Sequence, residues 1–227
     1  MDIHRPKAAH SIREFLIEIG TIICGILIAL GLEQVVEVIH RNEQAGEARE
    51  ALRTELGQDK QRFTLMIEAN NCAERQISAY FDWAKGGPKP PPFRTFRPLI
   101  RVTTWETVKL GAVPLMPLKE RTEIAGVYDQ LLNVVHNIDR NASASEVLAD
   151  FDALPVLKVE QRDQLLKAAA AAQRSIHHTS GTAARLVEAI GAYVGTDTNS
   201  PALPAVIRPG VDWACGRSAS NPFDQQR

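Results

Sequence analysis

The alternation of apolar and polar positions divides the chain into long helical stretches separated by short breaks. From Ile19 to Leu32 the sequence reads IGTIICGILIALGL, with no charge in it. Extending back to Phe15 adds Glu18, and extending forward to Val38 adds Glu33 and Glu37. The 18 residues from Phe15 to Leu32 make a helix about 27 Å long at ~1.5 Å per residue. That is close to the roughly 30 Å of hydrocarbon a spanning helix must cross. In lipid every backbone group must be satisfied internally, so the pattern predicts a transmembrane helix over 15–38.

Three competing roles suit this stretch less well. A cleaved signal peptide would use Ala29-Leu30-Gly31 as its small-x-small site. Its leading segment would then contain Glu14, and no helix break follows, since good helix formers run from Glu33 to Arg49. A lipid anchor at Cys24 would follow bulky Ile23, where a small residue is needed. A buried core helix of a soluble fold is the third.

Beyond the apolar stretch, Leu52, Leu56, Phe63, Ile67, Ile77, Phe81 and Ala84 recur at sums of three and four. This is the mark of one buried stripe on a charged helix, and it predicts a long extramembrane helix over 39–85. Gly57 and Asn70-Asn71 suggest a bend. The run Gly86-Gly87-Pro88-Lys89-Pro90-Pro91-Pro92 cannot be helical, and it predicts a stiff, exposed connector over 86–102.

Thr103-Thr104-Trp105-Glu106 reads as a threonine-capped helix start that ends near Gly111. A second helix is expected from Lys119 to about Asn141, with Ile124, Val127, Tyr128, Leu131, Val134, Val135 and Ile138 on one face. A short piece capped by Ser143 or Ser145 would follow, through Phe151. The clearest seam runs from Val159 to Val194 through Leu165, Ala169, Ala172, Ile176, Ser180, Ala183, Val187, Ile190 and Val194. Residues 103–195 are thus expected to form a helical bundle, and the Asn-, Ser-, Pro- and Gly-rich 196–227 an irregular tail. The predicted fold class is all-α: one N-terminal transmembrane helix, preceded by a basic segment 1–14, continuing into an antiparallel helical bundle.

Composition narrows function more than it defines it. The formal charge is −1, with acids and bases mixed, which argues against a nucleic-acid partner. Arg5, Lys7 and Arg13 precede the apolar stretch while Arg41 and Arg49 follow it, a slight bias toward an inside N-terminus and an outside domain. The basic segment around His4 and His10 suits anionic headgroups. Cys24, Cys72 and Cys215 contain no Cys-x-x-Cys pair, so a zinc ribbon or thioredoxin-like site is excluded on spacing. Cys72 and Cys215 are open to pairing in an oxidising compartment.

No phosphate-loop, dinucleotide, nucleophile-elbow or zinc-protease motif occurs. His177 and His178 are neighbours on a helix and point apart. His136 with Asp139 reads as a surface pair, and Glu120, Glu123 and Asp129 as a solvated face. No catalytic, cofactor-binding or metal-ligating residue is predicted, and an enzyme is not expected.

Two sets of residues remain as candidates. Glu18, Gly25, Ala29 and Glu33 are candidate helix contacts in the membrane, because small residues let helix backbones approach and ionisable groups seek partners there. Gly20, Cys24 and Gly31 add small surface. Trp105, Gly111 and Tyr128 are candidates for the bundle core or for a ligand pocket.

The motif His4-Arg-Pro-Lys7, His10, then Arg13-Glu-Phe-Leu-Ile-Glu-Ile-Gly20, Gly25-Ile-Leu-Ile-Ala-Leu30 and Glu33-Gln34 resembles the opening of a proteobacterial family of unknown function. That family has a membrane helix of this type followed by a long charged helix. Thr104-Trp105-Glu106, Gly111 and Tyr128 look like a second, looser part of the pattern. Val35-Val36 depart from the aromatic ending of related anchors. The resemblance implies a single-pass protein of the bacterial inner membrane and implies no activity. The expected function is a membrane-anchored interaction module, either a homo-oligomer or an accessory subunit bound to a membrane-protein partner, with its domain in the periplasm. The alternative is a ligand-sensing bundle with a pocket near Trp105 and Tyr128.

Overall fold

The computed structural model describes residues 12–195, 203, 205 and 207–220. The basic stretch around His4 and His10 lies outside them, as does much of the predicted tail. Among the described residues the chain is all-α, with α1 at Ile12–Ala84, α2 at Thr103–Val108, α3 at Leu118–Asp152, α4 at Val159–Val194 and α5 at Ile207–Ala214. The chain divides into two units, Met1–Glu47 and Ala48–Arg227.

In the first unit α1 is helical from Ile12, and its large apolar side chains from Ile12 to Ile39 are exposed. No tertiary packing explains the helix. Its own sequence does, with an uncharged run too long and too apolar for a surface helix in water.

In the second unit, the rest of α1, α3 and α4 enclose one core. The buried face of α1 is Leu52, Leu56, Asp59, Phe63, Met66, Ala73, Ile77, Tyr80 and Ala84, on a strict four-three repeat that Asn70 completes. Met66 and Tyr80 take the core positions expected for Ile67 and Phe81, which are half-buried. α4 repeats the pattern with Leu165, Ala169, Ala172, Ile176, Thr179, Ala183, Leu186 and Ile190. Here Thr179 and Leu186 replace the expected Ser180 and Val187, because a two-helix seam holds its phase at 3.5 residues per turn. α3 runs unbroken through Ser143 and Ser145, so neither starts a new helix.

α1 ends in a Schellman turn. Gly86 adopts φ 104°, its N–H donates to the Trp83 carbonyl at 3.0 Å, and the Gly87 N–H donates to the Asp82 carbonyl at 2.8 Å. Pro88 then forbids continuation. The connector that follows is a correction to the expectation of an exposed spacer. Pro90, Phe96 and Pro98 are buried, and Gln76 accepts from the Arg94 N–H at 2.9 Å while donating to the Arg94 carbonyl at 3.1 Å. Further along, the Arg101 N–H reaches Asp59. The connector thus runs back along α1 in extended form. Thirteen residues at ~3.1 Å each cover about 40 Å, matching some 25 helical residues at ~1.5 Å.

This return sets the topology. Arg49 meets Glu120 near one end, and Tyr80 meets Asp152 near the other, so α1 and α3 run parallel. α4 runs against both, with Asn70 on Ser180 and Lys60 against Gly191.

The tail also differs from expectation. α5 is a helix, joined to α1 by a Cys72–Cys215 disulfide with Cα atoms 5.1 Å apart. Glu68 pairs with Arg208 and Arg217, and Gln76 donates to the Ala214 carbonyl at 2.9 Å.

Candidate functional site

The first unit offers a helix face. At ~100° per residue, Glu18, Gly25, Ala29 and Glu33, spaced seven, four and four, fall within about a quarter of the circumference. All four are exposed, and a Cβ at Gly25 would meet nothing within 4 Å. Gly20, Cys24 and Gly31 do not widen this face, since the same arithmetic puts them on the opposite side. Cys24 is a free, exposed thiol. α1 is the one helix among the described residues long and apolar enough to cross a membrane, and none of its apolar window is buried.

The second unit offers a buried polar cluster. Glu55, Asp59 and Arg62 sit on α1 at spacings of four and three, and Asp59 and Arg62 are 0% and 2% exposed. Tyr128 Oη donates to Glu55 Oε1 at 2.9 Å. The Thr104 N–H donates to Glu55 Oε2 at 2.8 Å. α2 has Val102 at its N-cap and no capping side chain of its own, so the expected threonine cap is replaced by a carboxylate from α1. This satisfies one of the N–H groups that a helix start leaves open. Arg62 donates to Asp59 Oδ1 at 2.5 Å, where the Arg101 N–H also arrives at 3.3 Å.

Burial pushes the Asp59 carboxyl up to about 6, against the pull of Arg62 and the Arg101 N–H. Tyr128 is raised far above the usual phenol range, first by burial and then by the Glu55 charge. Among the described residues Asp59 Oδ2 and Arg62 Nε have no hydrogen-bond partner, the one incomplete part of the cluster.

Trp105 lies over Tyr128 in a parallel stack, with ring centroids 4.6 Å apart and planes 10° from parallel. The two predicted aromatics therefore do meet, and each ring covers the other's face. Gly111 does not join them. It is exposed in the turn after α2, and a Cβ there would meet nothing within 4 Å. A surface hollow of about 320 Å³ lies elsewhere, between α3 and α4 beside Arg140, Arg174 and His178.

Other polar residues are placed differently from expectation. Glu123 and Asp129 are exposed as expected, but Glu120 is half-buried, for Arg49 clasps both its oxygens at 2.5 and 2.9 Å and holds its carboxyl below the usual range. His136 bonds Arg140, while Asp139 pairs with Arg97, so the two do not form one site. His177 stands 3.8 Å from Glu74. Among the described residues no group of three or more His, Cys, Asp or Glu side chains is arranged to hold a metal.

Sequence reasoning missed Glu55, Asp59 and Arg62 altogether. A signal was present: the gap of seven between Leu56 and Phe63 skips one seam position, and Asp59 occupies it.

No known protein family matches the chain, and neither does any curated protein or solved structure. The resemblance in the N-terminal third therefore rests on the apolar helix alone.

Proposed function

We propose that the chain is a single-pass helical interaction module of a bacterial inner membrane, working as a homo-oligomer or as an accessory subunit of a membrane complex. The observation that carries this reading is the segment from Phe15 to Val38, an apolar helix whose large side chains are all exposed. Small Gly25 and Ala29 would let a second helix approach closely, and Glu18 and Glu33 bracket them as polar partners. The Cys72–Cys215 disulfide supports a periplasmic domain, because such bonds persist in oxidising compartments. The buried cluster supports a non-catalytic reading. Glu55 and Tyr128 direct their hydrogen bonds at each other and at the start of α2, and Asp59 and Arg62 are sealed from solvent. No observation favours the ligand-sensing alternative, since Trp105 and Tyr128 cover one another.

Oxidative crosslinking in native membranes tests the association. In a Cys24→Ser background, Ala29→Cys is expected to give a disulfide-linked dimer or a mixed adduct with a partner. Native Cys24, on the opposite side, should crosslink much less. If neither position crosslinks, and the chain purifies from native membranes alone and monomeric, the reading fails.

A further inference from the structure

Ala171, Ser175 and Thr179 follow one another along α4 at steps of four, so their short side chains form one row. Arg174 and His178 form the neighbouring row at the same step, and Asn137 and Arg140 of α3 line the other side. Thr179 is buried and Ser175 half-buried, whereas Arg140, Arg174 and His178 are exposed. A floor of short side chains under a rim of long ones gives the hollow of about 320 Å³ between the two helices. That volume is at the small end of the roughly 300–1,000 Å³ typical of small-molecule sites.

The charge around the hollow is of one sign. Between Asp163 and Glu188, α4 carries Lys167, Arg174 and Arg185 and no acid. Asp139, next to Arg140 in sequence, is taken up by Arg97 at 2.8 Å. Glu74 of α1 stands 3.8 Å from His177, the neighbour of His178. Arg140 donates to His136 Nε2 at 3.0 Å, an acceptor that leaves the guanidinium charge uncompensated. Among the described residues neither Arg140 nor Arg174 pairs with a carboxylate. A guanidinium on each wall suits an anion that can present oxygens to both. A phosphate does so with its tetrahedral set of oxygens, whereas one planar fork already satisfies a carboxylate.

We infer that this hollow is a site for a phosphate group, held between Arg140 and Arg174 with His178 and the Asn137 amide as further donors. It lies within the second unit and does not depend on the anchoring of 15–38. It is also distinct from the pocket expected near Trp105 and Tyr128. The phosphate can come free in solution or on a lipid headgroup, and the test has an arm for each.

The full chain, with the Cys72–Cys215 bond intact and in micelles of an uncharged detergent, is titrated with inorganic phosphate at fixed ionic strength in chloride. Binding is read by calorimetry and by the NMR signals of the His178 ring. The wild-type chain is expected to bind with a Kd of about 1 mM or tighter. Arg140→Gln and Arg174→Gln, both at exposed positions, should each weaken binding about tenfold or more, as loss of a charge-assisted bond requires. Lys167→Gln, a turn away from Ala171 and paired with Asp163 in the wild type, should leave binding unchanged. Phosphatidylglycerol added to the micelles separates the sources. Competitive displacement of phosphate, or a shift of His178 with lipid alone, assigns a headgroup; an unchanged phosphate affinity assigns the free ion. No heat and no His178 shift with either probe overturns the inference. So does binding that Lys167→Gln weakens as much as the two arginine variants, the mark of a diffuse basic surface.

Discussion

Asp59 has no route to solvent and only one oxygen in use, so its protonation state is set by the fold rather than by water. Its carboxyl is raised from the ordinary 3.8 to about 6, because burial outweighs the Arg62 guanidinium. A raised folded pKa means that the folded state holds the proton more tightly than the unfolded chain does. The resulting stabilisation is complete below about pH 4 and is lost as pH rises through 6, each tenfold gain in proton affinity being worth about 1.4 kcal/mol. Glu68 and Glu120 act the other way: their arginine partners lower their pKa, so their contribution is lost on acidification. The effect of Asp59 is therefore visible only as a difference. Asp59→Asn keeps the side chain's shape and the acceptor for the Arg101 N–H but cannot titrate. Urea unfolding at a series of pH values should show the wild-type chain losing stability relative to Asp59→Asn between pH 4 and 7, by a few kcal/mol at most. A difference independent of pH would mean that Asp59 stays ionised throughout, held by Arg62.

At the scale of elements, the connector departs most from what its composition suggests. A Pro-rich run reads as a linker because it can neither continue a helix nor join a sheet ladder, yet the same stiffness lets it lie extended along α1 at little entropic cost. Phe96 is its apolar anchor, 6% exposed, and Gln76 meets its backbone like a strand edge. Phe96→Ala should cost about 3–5 kcal/mol by chemical unfolding. Hydrogen exchange should quicken first at Arg94 and Arg101, while the interior of α4 stays protected. A loss below ~1 kcal/mol would return the connector to the status of a passive spacer. The long helices themselves were legible, since apolar spacing alone marks α4 from Val159 to Val194 and the apolar run of α1. Their exact register was not, because Ile67 and Phe81 are as apolar as the Met66 and Tyr80 that displace them. The buried cluster was illegible for a different reason. Charged residues at helical spacing look like a solvated face until a neighbouring element supplies the Tyr128 hydroxyl and the α2 backbone that desolvate them.

For the whole molecule, the bridge between α1 and α5 bears on which compartment the domain occupies. Cys72 and Cys215 are separated by 143 positions, a loop whose closure in the unfolded chain is worth about 5 kcal/mol on the chain-entropy account. That is a large part of the roughly 5–15 kcal/mol that holds a domain of ordinary stability together. Around the bridge, Glu68 with Arg208 and Arg217 and Gln76 with the Ala214 carbonyl are hydrogen bonds at or near the surface. Each contributes too little to replace it. A domain on the reducing side of the membrane would lose the bond and with it the covalent hold on α5, leaving the helix to the packing of buried Val211 and Ala214. A periplasmic domain keeps both, in keeping with the slight excess of basic residues ahead of the apolar stretch. Thiol blocking in intact cells should therefore find Cys72 and Cys215 inaccessible to a small alkylating reagent until the protein is denatured and reduced. A phosphatase fused to the C-terminus, active only after export, should be active. Alkylation of both cysteines after denaturation without reductant, together with an inactive fusion, would turn the domain to the cytoplasmic side. The reduced protein would then show α5 exchanging its amides at the rate of an open helix while α3 and α4 stay paired.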